Sequence, residues 1–248
     1  MAGFLIAAPA VGVGGVFLIM AGLYVFVVAT ILQVRGGRQR AAATRRSGLE
    51  QLIEGLTYIR SSQRLLTLLA LGFVPMLLGM HYQMLMPVFA LGLLRVGPEG
   101  LGLLSMATGV GALVGSLTLA ALGNFDGKSR VQALLGIGFG LSLLAFALAP
   151  SFAVALIVLP IVGATSAGYA SLNNTMVMEA TPRELYGRVM SVYMMTFSLM
   201  PLASVPVARL VDLIGPRPTV AACGALLAYV VAVIAFGALV RLPRRATA

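Results

Sequence analysis

LNNTMVMEATPRELYGRVMSVYMMTF, Leu172 to Phe197, sets Glu179, Arg183, Glu184 and Arg188 close together between runs of nearly uncharged residues. The charges therefore mark a short polar turn joining two long apolar segments. Worked outward from this turn, the same alternation runs along the 248-residue chain. Hydrophobic residues make up 60% and charged residues 10%, against about a quarter charged in a soluble domain. The mean hydropathy is +1.01. Such a chain belongs in a bilayer, where about twenty apolar residues cross the hydrocarbon layer as a helix that satisfies its own backbone hydrogen bonds.

The apolar runs predict an all-α integral membrane fold with seven transmembrane helices, at about 13–33, 65–94, 101–122, 131–149, 152–178, 189–211 and 220–240. The second contains Pro75 and Pro87, while Gly97-Pro98, Pro150 and Gly215-Pro216 punctuate short turns. If the segment after the first helix is cytoplasmic, that side collects 14 of the 17 Lys and Arg residues, leaving Arg95, Arg209 and Arg217 opposite. An error in the helix count would invert every later loop, so the asymmetry predicts a multi-pass protein of the cell (inner or plasma) membrane with linker and C-terminus cytoplasmic.

The net charge of +10 thus serves orientation, and nucleic acid is not an expected partner. The single cysteine, Cys223, excludes an internal disulfide, and no His/Cys cluster suggests a metal or other cofactor. Gly109, Gly111, Gly115, Gly136, Gly138 and Gly140 superficially suggest nucleotide fingerprints, but no strand precedes them. Inside membrane helices such residues let neighbours approach closely. No acid, His and nucleophile set converges within the spans, so an enzyme is not expected.

The segment 35–63 begins as a basic linker and ends as a predicted amphipathic helix. Ser47 with Glu50 fits a capping box, and Leu49, Leu52, Ile53, Leu56 and Ile59 share one face. A connector shielding the neighbouring bundle and a partner-binding face both fit this pattern. Residues 1–15, MAGFLIAAPAVGVGG, are too interrupted for a full span and lack the basic region of a signal peptide. They read as the tail of an earlier helix, the expectation for a chain missing its front or for a start assigned at the wrong Met. The expected organisation is 1–34 as that tail plus one helix, 35–63 as linker, 64–242 as a six-helix bundle and 243–248 as a cytoplasmic tail.

One helix, a long basic loop and six further helices match the second half of a twelve-helix transporter. The stretches GLTYIRSSQRLLTLLALGFVPMLLGMHYQMLMPVFA (Gly55–Ala90), GPEGLGLLSMATGVGALVGSL (Gly97–Leu117) and Leu172–Phe197 resemble the major facilitator superfamily. More narrowly, they resemble its bacterial branch containing the enterobactin exporter and related drug effluxers. The resemblance implies that the last six helices form the C-terminal bundle of that fold, two inverted three-helix repeats that rock against an N-terminal half. It also implies a secondary active transporter, a proton-coupled exporter of small amphipathic compounds, drugs or siderophores. Its partners would be that substrate, protons, the lipid bilayer and the N-terminal half. The alternative is a non-transporting half-transporter that needs a separate N-terminal half.

Within this resemblance GNFDGKSR, Gly123–Arg130, is similar to the second-half copy of the superfamily's cytoplasmic loop motif. It is degenerate, with Asp126 one position early and Lys128 and Arg130 standing for the basic residues. With Glu179, Arg183, Glu184 and Arg188 these form the candidate cytoplasmic gate, although a short basic turn that only sets topology accounts equally for the loop, and helix-end anchoring for the other four. Exposed ion pairs contribute only about 0–1 kcal/mol to a static fold, yet that magnitude biases a two-state equilibrium. Polar residues inside spans are costly and mark candidate cavity positions. They are His81, Tyr82 and Gln83 in the second helix, Tyr169, Asn173, Asn174 and Thr175 in the fifth, and Tyr193 in the sixth. For the asparagines, hydrogen bonding between helices is an equal alternative.

Overall fold

The computed structural model describes residues 12–33, 48–123, 125–198 and 200–241. Ser47 of the expected capping box lies outside them, as do most of the basic linker and the C-terminal tail. All the regular structure among the described residues is helical. Helix α1 is Gly12–Gln33 and α2 is Gly48–Ser61. Then follow α3 (Gln63–Leu78), α4 (His81–Pro87) and a π-helical segment (Val88–Leu93). Helices α5 (Gly97–Leu122), α6 (Lys128–Ala147) and α7 (Phe152–Glu179) are long and continuous. A 3-10 turn at Arg183–Leu185 leads into α8 (Tyr186–Phe197), α9 (Met200–Ile214) and α10 (Pro216–Arg241).

Five helical segments among the described residues are long and apolar enough to cross a membrane: Gln63–Leu93, Gly97–Leu122, Lys128–Ala147, Phe152–Glu179 and Pro216–Gly237. One expected span is split, and another, present as a single span, carries internal breaks. The single helix expected at 189–211 is broken into α8 and α9, with Ser198 in a turn between them. Pro201, at the start of α9, has no N–H to return to the carbonyl of Phe197, and in a continuous helix its ring would crowd that carbonyl. The single helix expected at 65–94 is interrupted at Gly79-Met80, where both N–H groups donate to Pro75 O at 2.7 and 3.1 Å. Beyond Pro87 the ladder widens to π geometry, so that Leu94 N–H reaches Phe89 O at 2.8 Å.

Glycine decides the packing of the long helices. An ideal Cβ on Gly115 of α5 would fall 2.6 Å from the Cα of Ala164 in α7, and one on Gly111 would fall 2.6 Å from the Cα of Pro160. Gly140 of α6 and Gly224 of α10 meet in the same way, each Cβ position lying within 3.0 Å of backbone atoms on the other helix. Lipid offers no hydrophobic drive between helices, and such close contact supplies van der Waals attraction instead. The central core gathers Phe89, Phe139, Leu143, Phe146 and Leu159, with the Phe89 and Phe146 rings stacked at 4.8 Å. A second core, of Leu65, Leu68, Leu172, Met176, Val177 and Val189, also receives Ile59 from α2. Helix α2 is thus docked on the bundle, although Ile53 and Leu56 of its expected apolar face remain exposed.

Short turns make α3, α6 and α8 start, and α5, α7 and α10 finish, at one end of the bundle. That end carries Arg64, Lys128, Arg130, Arg183 and Arg188, and is called the basic end below.

Candidate functional site

The basic end closes over a buried polar cluster. Gln132, on the second turn of α6, is 2% exposed and donates from Nε2 to Asn173 Oδ1 on α7 at 2.6 Å. Asn173 has no exposed surface and donates from Nδ2 to the Tyr193 hydroxyl of α8 at 3.3 Å. Gly72 of α3 packs against both partners, its Cβ position lying 2.7 Å from Asn173 Nδ2 and 2.7 Å from Tyr193 Cε2. One buried amide therefore joins α6, α7 and α8, and a missing side chain admits α3. Tyr169, also buried, donates its hydroxyl to Leu71 O at 2.7 Å and ties α7 to α3 again.

The candidate cavity residues do not converge on a single point. Asn173, Tyr169 and Tyr193 belong to the cluster just described. His81 and Tyr82 lie deeper, where His81 Nε2 is 3.3 Å from Ser204 Oγ on α9 and Tyr82 sets its ring edge-on to Phe139. Gln83 is exposed. Asn174 is half-buried with Oδ1 enclosed and without a partner among the described residues. Thr175 is exposed and its hydroxyl returns to Ser171 O at 3.0 Å. Gln132 and Gly72 were not expected; the intramembrane-polar rule that selected Asn173 applies equally to Gln132, whereas nothing in the neighbouring sequence distinguishes Gly72.

A cavity of about 840 Å³ lies between α3, α6, α7 and α10 at the basic end, with Gln132, Tyr169 and Arg64 in its walls. Its size falls within the range of small-molecule sites.

The candidate gate residues form pairs that their sequence proximity does not suggest. Lys128, opening α6, pairs with Glu179, closing α7. Arg188, in the first turn of α8, pairs with Glu54 of α2, where the backbone of Arg188 lies 3.2 Å from the Cβ position of Gly55. Asp126, Arg130, Arg183 and Glu184 are exposed. Gly123 and Gly127, with φ of 59° and 87°, turn the chain so that Lys128 meets Glu179. A cation at a helix N-terminus and an acid at a C-terminus each oppose the helix dipole, so neither charge favours its own helix. Their positions make sense as a pair across helices.

Comparison with known proteins bears on these features as a whole. No curated protein and no solved structure matches the chain. The family model for transmembrane secretion effectors matches residues 1–247. Apolar helices of membrane-crossing length, packed through glycines around a buried polar cluster, fit that match. The chain is a multi-pass membrane protein belonging to the transmembrane secretion effector family of major facilitator transporters.

Proposed function

We propose that the protein exports small amphipathic compounds, drugs or siderophores, by proton-coupled alternating access across the cell membrane. The Lys128–Glu179 pair carries the gating part of this reading, because two charges placed against their own helix dipoles are offset by pairing across helices. Such a pair is readily exchanged for other partners when the bundle moves. The basic end is then cytoplasmic, in keeping with the distribution of Lys and Arg.

In this reading α1 and the broken α8–α9 segment join the five long spans to give seven, and the six from α3 to α10 form the C-terminal half of the fold. The side chains of α1 are exposed throughout Met20–Gln33, and α5 is exposed over most of its length. Both surfaces suit cover by lipid and by an N-terminal half. The exposed Gln83 and Thr175 would then face the space between halves.

The experiment is accumulation of a panel of fluorescent lipophilic compounds in cells expressing the protein together with the N-terminal half that this reading calls for. Lower accumulation of at least one compound, restored by a protonophore, is expected. Unchanged accumulation across the panel contradicts export.

A further inference from the structure

We propose that the 840 Å³ cavity inside the bundle is a binding site for an anionic amphiphile bearing a phosphate head and an alkyl chain. Its walls come from α3, α6, α7 and α10.

The chemistry of the lining selects the ligand. Its polar side chains are Gln63, Arg64, Thr67, Ser129, Gln132 and Tyr169, which include one cation and no acid. The Gln63 amide, the Ser129 hydroxyl and the Arg64 guanidinium offer hydrogen-bond donors. Gln132 spends one of its two N–H donors on Asn173 and keeps a second. A phosphate, rich in acceptors and negatively charged, matches a donor set organised around an arginine. A quaternary ammonium finds no counter-charge among these residues.

The remaining walls are apolar and include Leu68, Leu71, Met176, Val231 and Ile234. Leu68, Leu71, Met176 and Val231 are buried in the bundle, whereas Arg64 and Ser129 are exposed at the basic end. The polarity therefore runs from a charged mouth to an alkyl-lined interior, the gradient expected for an amphiphile entering head outward. Tyr169 and Val231 pack closely on Gly136, where an added Cβ would lie 2.7 and 2.8 Å from them, and the Tyr169 hydroxyl is bonded to Leu71 O.

The chain has no tryptophan, so Phe236→Trp, exposed between the lining residues Ala235 and Gly237, gives a single emission reporter and leaves every donor of the site in place. The probe is dodecyl phosphate, titrated into the purified protein in dodecyl maltoside, with dodecyltrimethylammonium at the same concentrations for comparison. A saturable emission change with the phosphate alone is expected. Adding Arg64→Gln to the reporter should weaken it by about tenfold or more. Arg64 is exposed, so this substitution leaves the packing intact, and an unchanged elution profile checks the fold.

Repeating the titration in phosphatidylcholine nanodiscs with and without phosphatidylglycerol distinguishes the natural sources. Competition by phosphatidylglycerol assigns the site to a membrane lipid, and undiminished binding assigns it to a free anionic amphiphile. No saturable change, an equal response to the ammonium compound, or indifference to Arg64→Gln would overturn the proposal. Binding is read without transport, so the result stands apart from the fate of the export reading.

Discussion

Lys128 and Glu179 form an ion pair in which each partner sits at the unfavourable end of its own helix, the cation opening α6 and the acid closing α7. Each placement alone costs roughly 0.3–1 kcal/mol against the helix dipole. Reversing both charges, Lys128→Glu with Glu179→Lys, keeps the pair and aligns each charge with its dipole. The reversed protein is expected to be more stable by about 1 kcal/mol or more in thermal unfolding, since two penalties become two gains. Neutralising Lys128 or Glu179 singly is expected to change stability by less than about 1 kcal/mol, since the lost pair and the lost dipole penalty oppose each other. In transport assays the two neutralisations should be non-additive, and purely additive effects would count against a coupled gate.

Gly72 holds the place where α3 meets the Asn173–Tyr193 contact. Gly72→Ala should destabilise the protein by about 1–3 kcal/mol, because the added methyl overlaps both partners. Gly109→Ala makes the matched control, since no atom lies within 4 Å of its Cβ position. Melting in detergent should separate the two variants clearly.

Asn173→Leu leaves the Gln132 amide and the Tyr193 hydroxyl without their shared partner. The expected loss is about 1–3 kcal/mol. Combining it with Gln132→Leu should cost less than the sum of the single changes, because the second substitution removes an unsatisfied group. A double-mutant cycle on unfolding free energies checks this.

The long helices were legible in the sequence because each is a sustained apolar run bounded by glycine, proline or charge. The bounds of α5, α6, α7 and α10 fall within a few residues of those expected. The breaks were not legible: Pro75, Pro87, Pro201 and Pro206 all sit in apolar runs, and whether a proline kinks a helix or ends it depends on the surrounding packing. Charge pairing was hidden for a related reason. Glu179 and Arg188 lie close in sequence, yet their partners are Lys128 and Glu54, brought by other helices. Asn173 was legible as an intramembrane polar group, while its role as a bridge depends on Gln132 and Tyr193 arriving from two directions.

Helix α2 is fastened by Ile59 in the core, by the Glu54–Arg188 pair and by the approach of Gly55 to the Arg188 backbone. Glu54→Gln should speed hydrogen exchange over residues 53–61 by no more than about fivefold, the scale of a partly exposed ion pair. Gly55→Leu should speed it considerably more, because a bulky side chain forces the helices apart. Equal effects would show that charge, not close packing, holds α2 down.

Transport by the reconstituted protein, assembled with the N-terminal half that the proposed function calls for, tests the central claim most directly. In proteoliposomes loaded with an exported compound, flux is measured with and without an imposed pH gradient. The account predicts that the gradient drives the compound against its own concentration difference, and that a protonophore stops it. Flux that is equal with and without the gradient would contradict proton-coupled alternating access.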